Sequence, residues 1–220
     1  MSSGFRRPNP FLMACLLALL PFSPAPAFDN LHVASVPALA VLSDGRTGAV
    51  HYIALQISSD PGADGPVIQF SEINLGGGSL VGDDWKAGVR QAVLTALRHL
   101  GMDGRDWVVT VKNRSHNAMT DGMSASGAVA VGIMAAWRGD AIRPGVAMTG
   151  QIAPNGDILG VGSVPQKVEA AAREQFNTVL VPRGQSNMGD GNFGSQARRV
   201  AVIEVGTLDE AYHAMAGPRY

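Results

Sequence analysis

What the sequence lacks narrows its function before any motif is read. The single cysteine, Cys15, lies in an apolar leader, so the chain beyond the leader has no disulfide, thiol nucleophile or thiolate metal site. The formal net charge is −1, and no run of lysines or arginines occurs, which excludes the basic footprint that nucleic acid requires. No Gly-x-x-x-x-Gly-Lys-Ser/Thr phosphate loop is present, so the chain itself is not expected to hydrolyse ATP. Beyond the leader no segment is apolar enough to cross a membrane. Nothing in the residue pattern calls for a metal or an organic cofactor.

The leader has three parts: Arg6 and Arg7, an apolar run from Phe11 to Phe22, and the small residues of Ala25-Pro26-Ala27 at the spacing a signal peptidase needs. Twelve apolar residues broken by Pro21 are short for a hydrocarbon core of about 30 Å. Residues 1–27 are therefore expected to be a signal peptide, with an uncleaved anchor as the alternative. Cys15 precedes most of the apolar run, so lipidation is not expected. A periplasmic or secreted product without stable membrane association follows from this reading.

At 220 residues, the chain suits one domain with a full core. Residues 28–48 read as an N-terminal segment containing a strand over Val33 to Leu42, which Pro37 demotes to a sheet edge. Residues 49–217 read as the domain itself. Ala49 to Ile57 and Val67 to Ile73 alternate like half-buried strands, with Asp60 to Gly65 as a polar loop between them. After the breaker Gly76-Gly77-Gly78, a helix capped by Asp83 or Asp84 runs to Leu100, with Gly101 ending it. Trp107 to Val111 is β-prone, and Asn113 to Thr120 is a loop. Ala125 to Trp137 is small or apolar throughout, the mark of a helix buried on most sides. Val146 to Ile152 and Asp157 to Val161 suggest a hairpin in which Asn155-Gly156 takes positive φ at both central residues. Pro165 opens a helix that carries Lys167 and runs to about Gln175. Thr178 to Val181 and Val200 to Val205 are further strands, and Gly184 to Ser195 is a Gly/Asn/Ser-rich loop. Thr207-Leu208-Asp209-Glu210 is a capping box. Strands and helices intermix without a strict βαβ repeat, which indicates a mixed α/β (α+β) single domain.

Two residues suggest chemistry. Ser124 lies where a strand turns into a small-residue helix, and the exposed N–H groups of Met123, Ser124 or Ala125 there can stabilise an oxyanion. A serine hydroxyl needs a base to take its proton. Lys167, flanked by Val161, Val164, Val168, Ala170 and Ala171, is a base if burial lowers its amine pKa from ~10.4 toward neutrality. Thr149, between them in sequence, is placed to orient the lysine. The bland readings are a serine N-cap, a solvated lysine and an ordinary strand threonine.

Three motifs follow one another: Asp121-Gly122-Met123-Ser124-Ala125-Ser126, then Ala147-Met148-Thr149-Gly150-Gln151-Ile152, then Val161-Gly162-Ser163-Val164-Pro165-Gln166-Lys167-Val168. This ordered set resembles the proteolytic domain of the Lon protease family, whose corresponding motifs read D-G-P-S-A-G, A-M-T-G-E-I and I-G-G-L-K-E-K. Gly78-Ser79-Leu80 with Asp84-Trp85-Lys86, Thr178-Val179-Leu180-Val181-Pro182 and Thr207-Leu208-Asp209-Glu210-Ala211 extend it over about residues 49 to 216. The resemblance implies a Lon-type fold and a serine endopeptidase acting on polypeptides. It implies Ser124 as nucleophile, Lys167 as general base and then acid, and Thr149 as the residue positioning the amine. It further implies that Asp121 can pair with the lysine in closed, inactive forms, and that the protein forms homo-oligomers. Departures are Met123 for the motif proline, Ser126 for its second glycine and Gln151 for glutamate. Thr110 and Lys112 stand where many relatives have histidines. The family's ATPase module is not part of this sequence.

Two other readings compete. A Ser-His-Asp esterase or peptidase would pair Gly122-x-Ser124-x-Ser126 with His213 downstream. A non-catalytic Lon-fold module would bind peptides, for which strand addition beside Val67 to Ile73 serves equally well. The leader itself makes a prediction. N-terminal sequencing of the fractionated protein should find Phe28 at the start, outside the cytoplasm, and a cytoplasmic product retaining Met1 would overturn the signal-peptide reading.

Overall fold

A computed structural model describes residues 31–42, 44–72, 80–115, 119–187 and 199–218. The leader, Gly76-Gly77-Gly78, His116 and most of the Gly184 to Ser195 loop lie outside the described residues.

The chain runs through β1 (His32–Val41), β2 (Gly48–Ser59), β3 (Val67–Phe70), β4 (Leu80–Val81) and α1 (Asp83–Leu100). Next come β5 (Trp107–Arg114), β6 (Met119–Thr120), a 3-10 turn (Met123–Ala125) and α2 (Ser126–Arg138). It continues with β7 (Ala141–Ile142), β8 (Val146–Met148), β9 (Gln151–Ile152), β10 (Ile158–Leu159) and α3 (Val164–Arg173). Last are β11 (Thr178–Pro182), β12 (Ala201–Val205), α4 (Leu208–Met215) and β13 (Ala216–Gly217). Seven strands form one sheet in the order β12-β11-β8-β1-β2-β5-β3. From β12 to β1 the pairs are parallel, from β1 to β5 antiparallel, and β3 returns parallel to β5. This is the mixed α/β architecture expected from the sequence.

Alternation decides the faces. Ile53, Leu55 and Ile57 of β2 and Val109 and Val111 of β5 bury into a core with α1, α2 and α4. Leu39, Val50, Ala147, Val179 and Val181 point the other way, onto Val164, Val168, Ala170 and Ala171 of α3. Helix α2 is buried at every position from Ser126 to Ala136, as its composition demands. Helices α1 and α2 both end on a glycine in the left-handed region, Gly101 at φ 68° and Gly139 at φ 74°.

Several expectations are corrected. Strand β1 is central, not an edge, and pairs with β2 from His32 to Val41, so it shares one sheet with the strands that follow it. On its other side β1 meets β8 at a single bridge, Ala38 with Met148, so the ladder there is short and a proline costs little on that side. Strands β2 and β3 follow one another across the Asp60 to Gly65 loop as expected, with β5 inserted between them in the sheet. The hairpin joins only β9 and β10, while Val146–Met148 belongs to the large sheet. Its turn has positive φ at Gly156 alone, at 92°. Gly156 N–H donates to Ala153 O, which puts Pro154 at a corner that needs negative φ. Helix α1 is preceded by Gly82 and takes no cap from Asp83 or Asp84. In α4, Thr207 accepts from Glu210 N–H as expected, but the Glu210 carboxylate reaches back to Gly206 N–H.

Helix α3 sets the position of Lys167, and it crosses β2 at Gly48. A Cβ at Gly48 would lie 1.9 Å from the Gln166 carbonyl oxygen. Gly48→Ala should therefore displace the start of α3 and destabilise the fold by about 1–3 kcal/mol, measured by denaturant unfolding. Unchanged stability would mean that the α3 crossing is loose.

Candidate active site

Backbone hydrogen bonds build the site first. The Ser124 carbonyl accepts from Gly150 N–H at 2.8 Å, and Gly127 N–H donates to the Gly150 carbonyl at 2.9 Å. These two bonds staple the Ser124 turn to the segment after β8. Gly127 permits the approach, because a Cβ there would meet Met148 Cε at 2.8 Å and Gly150 O at 2.9 Å. Sequence reading passed over a third tie. Ser126 Oγ donates to the Met123 carbonyl at 2.7 Å and accepts from Ile152 N–H at 2.9 Å. The hydroxyl that replaces the motif glycine thus links the turn to β9.

Ser124 sits inside the 3-10 turn, partly buried, and its side chain caps neither that turn nor α2. The N-cap reading of Ser124 therefore fails. In a 3-10 turn the first two N–H groups have no acceptor within the turn. Among the described residues Met123 and Ser124 donate to no other backbone group either. Their N–H groups are therefore open donors at the start of the turn.

Lys167 is the fourth residue of α3 and only 3% exposed. Its Nζ donates to Thr149 Oγ1 at 3.1 Å, and Thr149 Oγ1 donates to the Ser124 carbonyl at 3.4 Å. Among the described residues no ion pair involves Lys167. Burial alone lowers its pKa from 10.5 to about 8. Ser163, which precedes α3, is held left-handed at φ 58°, and its carbonyl receives Lys167 N–H. The structure thus brings Ser124, Thr149 and Lys167 together, with Lys167 bonded to Thr149 and not to the Ser124 hydroxyl. Gln151, in β9, is partly buried beside them in sequence.

Asp121 does something else. Its carboxylate accepts from Trp85 N–H at 3.0 Å and from Gly122 N–H at 2.8 Å, capping α1 from outside that helix. Gly82 is glycine because the Asp121 carboxyl carbon would lie 2.2 Å from a Cβ there. The expected pairing of Asp121 with the lysine is not formed.

The rival triad has no support in this geometry. His213 is exposed on α4, next to Tyr212, whose ring lies under Arg138 and whose hydroxyl donates to Asp140. Those partners mark the far end of α2, and a 13-residue helix separates its ends by about 20 Å.

Residues 109–210 match the profile of the Lon protease (S16) C-terminal proteolytic domain. The chain carries a Lon-type proteolytic domain. It is 28% identical over 188 residues to the archaeal Lon protease of Methanothermobacter thermautotrophicus, covering 84% of this chain and 28% of that protein. It is 30% identical over 190 residues to the archaeal Lon protease of Methanocaldococcus jannaschii, covering 83% and 27% respectively. Lon protease 2 of Bacillus subtilis is 38% identical over 90 residues, or 41% of this chain and 16% of that protein. The chain thus spans little more than a quarter of the archaeal relatives' length.

The buried amine has a consequence for stability. Its folded pKa lies below the unfolded value, so the cost of burial is absent above pH 10.5, grows as the pH falls to about 8, and is constant below that. At about 1.4 kcal/mol per pH unit, this comes to about 3 kcal/mol at neutral pH. Lys167→Met should therefore be more stable than wild type at pH 7 by up to about 3 kcal/mol, with the gain shrinking toward pH 10.5. Denaturant unfolding at several pH values checks this. A less stable variant at pH 7 would refute the desolvated-amine account.

Proposed function

We propose that this Lon-type domain is a serine endopeptidase that cleaves flexible or unfolded polypeptides with Ser124 as nucleophile and Lys167 as base. The observation that carries the proposal is a buried amine with no ion pair among the described residues, 3.1 Å from a threonine hydroxyl that itself touches the Ser124 carbonyl. A module that only bound peptides would have no use for a desolvated amine at this place.

In the proposed reaction Ser124 Oγ attacks the scissile carbonyl carbon while neutral Lys167 Nζ takes the hydroxyl proton. The tetrahedral oxyanion faces the free N–H groups of Met123 and Ser124. The protonated lysine then gives its proton to the leaving amine, and the C–N bond breaks. Lys167 next draws a proton from water, whose oxygen attacks the acyl carbon, and the C–Oγ bond then breaks as Lys167 returns that proton to Ser124 Oγ. Thr149 holds the amine throughout. Hydrogen bonds within such a site commonly tighten only when substrate is bound. An unfolding step is outside what these residues supply, so compact substrates should resist cleavage. The leader supports work in the periplasm or outside the cell, and the family likeness supports a homo-oligomer.

Cleavage of casein tests the dyad. Ser124→Ala and Lys167→Met should each abolish most turnover, and the double variant should be little worse, because effects within one catalytic unit are not additive. Lys167→Arg should fail too, since a guanidinium cannot accept the serine proton. Wild-type kcat/KM should rise with pH through an apparent pKa of about 8 and level off above it. Substantial hydrolysis by folded Lys167→Arg would remove the lysine from the mechanism.

A further inference from the structure

Strand β2 carries a buried histidine that the proposed chemistry does not use. His51 is 2% exposed and lies on the face that packs against α1 and α2, in register with the aliphatic Ile53, Leu55 and Ile57. Beside it are Asn113 from β5, also 2% exposed, and Thr120 from β6, which is likewise buried. Asn113 Nδ2 donates to Thr120 Oγ1 at 3.0 Å, and His51 Nδ1 lies 3.4 Å from Thr120 Oγ1 and 3.5 Å from Asn113 Nδ2. Three polar side chains from three strands thus meet where an aliphatic cluster would otherwise fill the space. Such groups are costly to bury unless they satisfy one another.

With the Asn113 amide turned so that Nδ2 meets Thr120 Oγ1, donor and acceptor capacities give the cluster a direction. An amide nitrogen only donates, so in this orientation His51 Nδ1 presents its lone pair to Asn113. The Thr120 hydroxyl accepts from Asn113 and is placed to give its own proton to His51 Nδ1. The imidazole is then neutral, with its proton on Nε2. Burial, which pushes the His51 pKa down to about 4, agrees with that state.

Thr120 leads directly into the candidate nucleophile. Its carbonyl accepts from Gly82 N–H at 2.8 Å. The next residue, Asp121, is held by Trp85 N–H and Gly122 N–H, and the turn bearing Ser124 begins at Met123. Every residue from Thr120 to Gly122 is therefore fixed by a hydrogen bond, and the side-chain anchor at the head of this segment includes His51. We infer that His51 is a positioning residue for Ser124: as a neutral acceptor it fixes the Thr120 hydroxyl, and through it the Thr120–Gly122 segment that sets where Ser124 stands. This inference rests on reading Ser124 as the nucleophile. Proton transfer itself still passes through no imidazole.

The test compares His51→Leu, which has no acceptor, with His51→Gln, whose amide oxygen offers one. Two readouts are taken: kcat and KM on an unstructured fluorogenic peptide, and amide exchange along the chain. His51→Leu should lose roughly tenfold or more in kcat with KM within about twofold, as expected when a reacting group is misplaced and not unbound. Exchange should quicken at residues 121–124 while the interior of α2 stays as protected as in wild type. His51→Gln should recover most of the kcat. Wild-type kcat in His51→Leu would overturn the inference. So would exchange that quickens equally throughout α2 with no rescue by glutamine, since that marks a purely structural histidine. Should wild type and Ser124→Ala prove equally inactive, the peptidase reading fails on its own. Exchange at residues 121–124 then decides the role of His51: local quickening in His51→Leu upholds its hold on the segment, and unchanged exchange overturns it.

Discussion

Taking one ammonium group out of water is the constraint on which the rest of this site depends. A lysine amine buried without a carboxylate partner resists protonation, and among the described residues none forms an ion pair with Lys167. Its Nζ donates instead to a neutral hydroxyl, Thr149 Oγ1. What holds the amine there is the docking of α3. Val164, Val168, Ala170 and Ala171 pack on Leu39, Val50 and Ala147, so the apolar energy of one helix face offsets the cost of one polar tip. Loosening that face would rehydrate the amine before it unfolded the domain. Packing and proton affinity are therefore one property here.

The mixed sheet gives this helix something to dock on and leaves its end open. Parallel pairing from β12 to β1 sends β8 and β11 the same way, so their loops gather at one end of the sheet, where α/β folds collect ligand-binding groups. Thr149 leaves β8 at that end, and the Ser124 turn is fastened to the following glycine in both directions. Main-chain bonds fix the separation of the two segments whatever rotamers the side chains adopt. The antiparallel half, β1 to β5, adds the long ladders that keep this frame rigid.

Features with local causes were legible in the sequence, and features with distant causes were not. Helix α1 followed from its apolar spacing and Gly101, and α2 from an unbroken run of small and apolar residues. The serine, threonine and lysine were found through ordered motifs, and a desolvated lysine was expected from its aliphatic neighbours. The errors share one origin. Pro37 argued for an edge strand, because nothing nearby in the chain reports that β8, more than a hundred residues on, touches β1 at a single bridge. Asp83 and Asp84 looked like caps, yet the cap of α1 comes from Asp121, separated from Trp85 by 36 residues. The polar cluster of His51, Asn113 and Thr120 left no trace, since each residue alone is unremarkable in a strand or a loop.

Asp121 links the start of α1 to the turn that carries Ser124. A carboxylate three residues before the candidate nucleophile could serve as a counter-ion to Lys167, and in that role it would keep the amine protonated. Here its carboxylate accepts from two main-chain N–H groups, and Gly82 leaves the space that this geometry needs. The start of α1 gains a negative charge near its positive end, which favours the arrangement. Removing Asp121 from the lysine's surroundings has the same sense as burying the amine, because both favour the neutral form. The substitutions in the motif agree with a turn held from several sides. Ser126 adds a hydroxyl bridge to β9 where the family has glycine, and the backbone staple through Gly127 and Gly150 does not depend on the residue at position 123. The turn has exchanged the stiffness of a motif proline for hydrogen bonds drawn from neighbouring elements, and its shape is now a property of the whole sheet end.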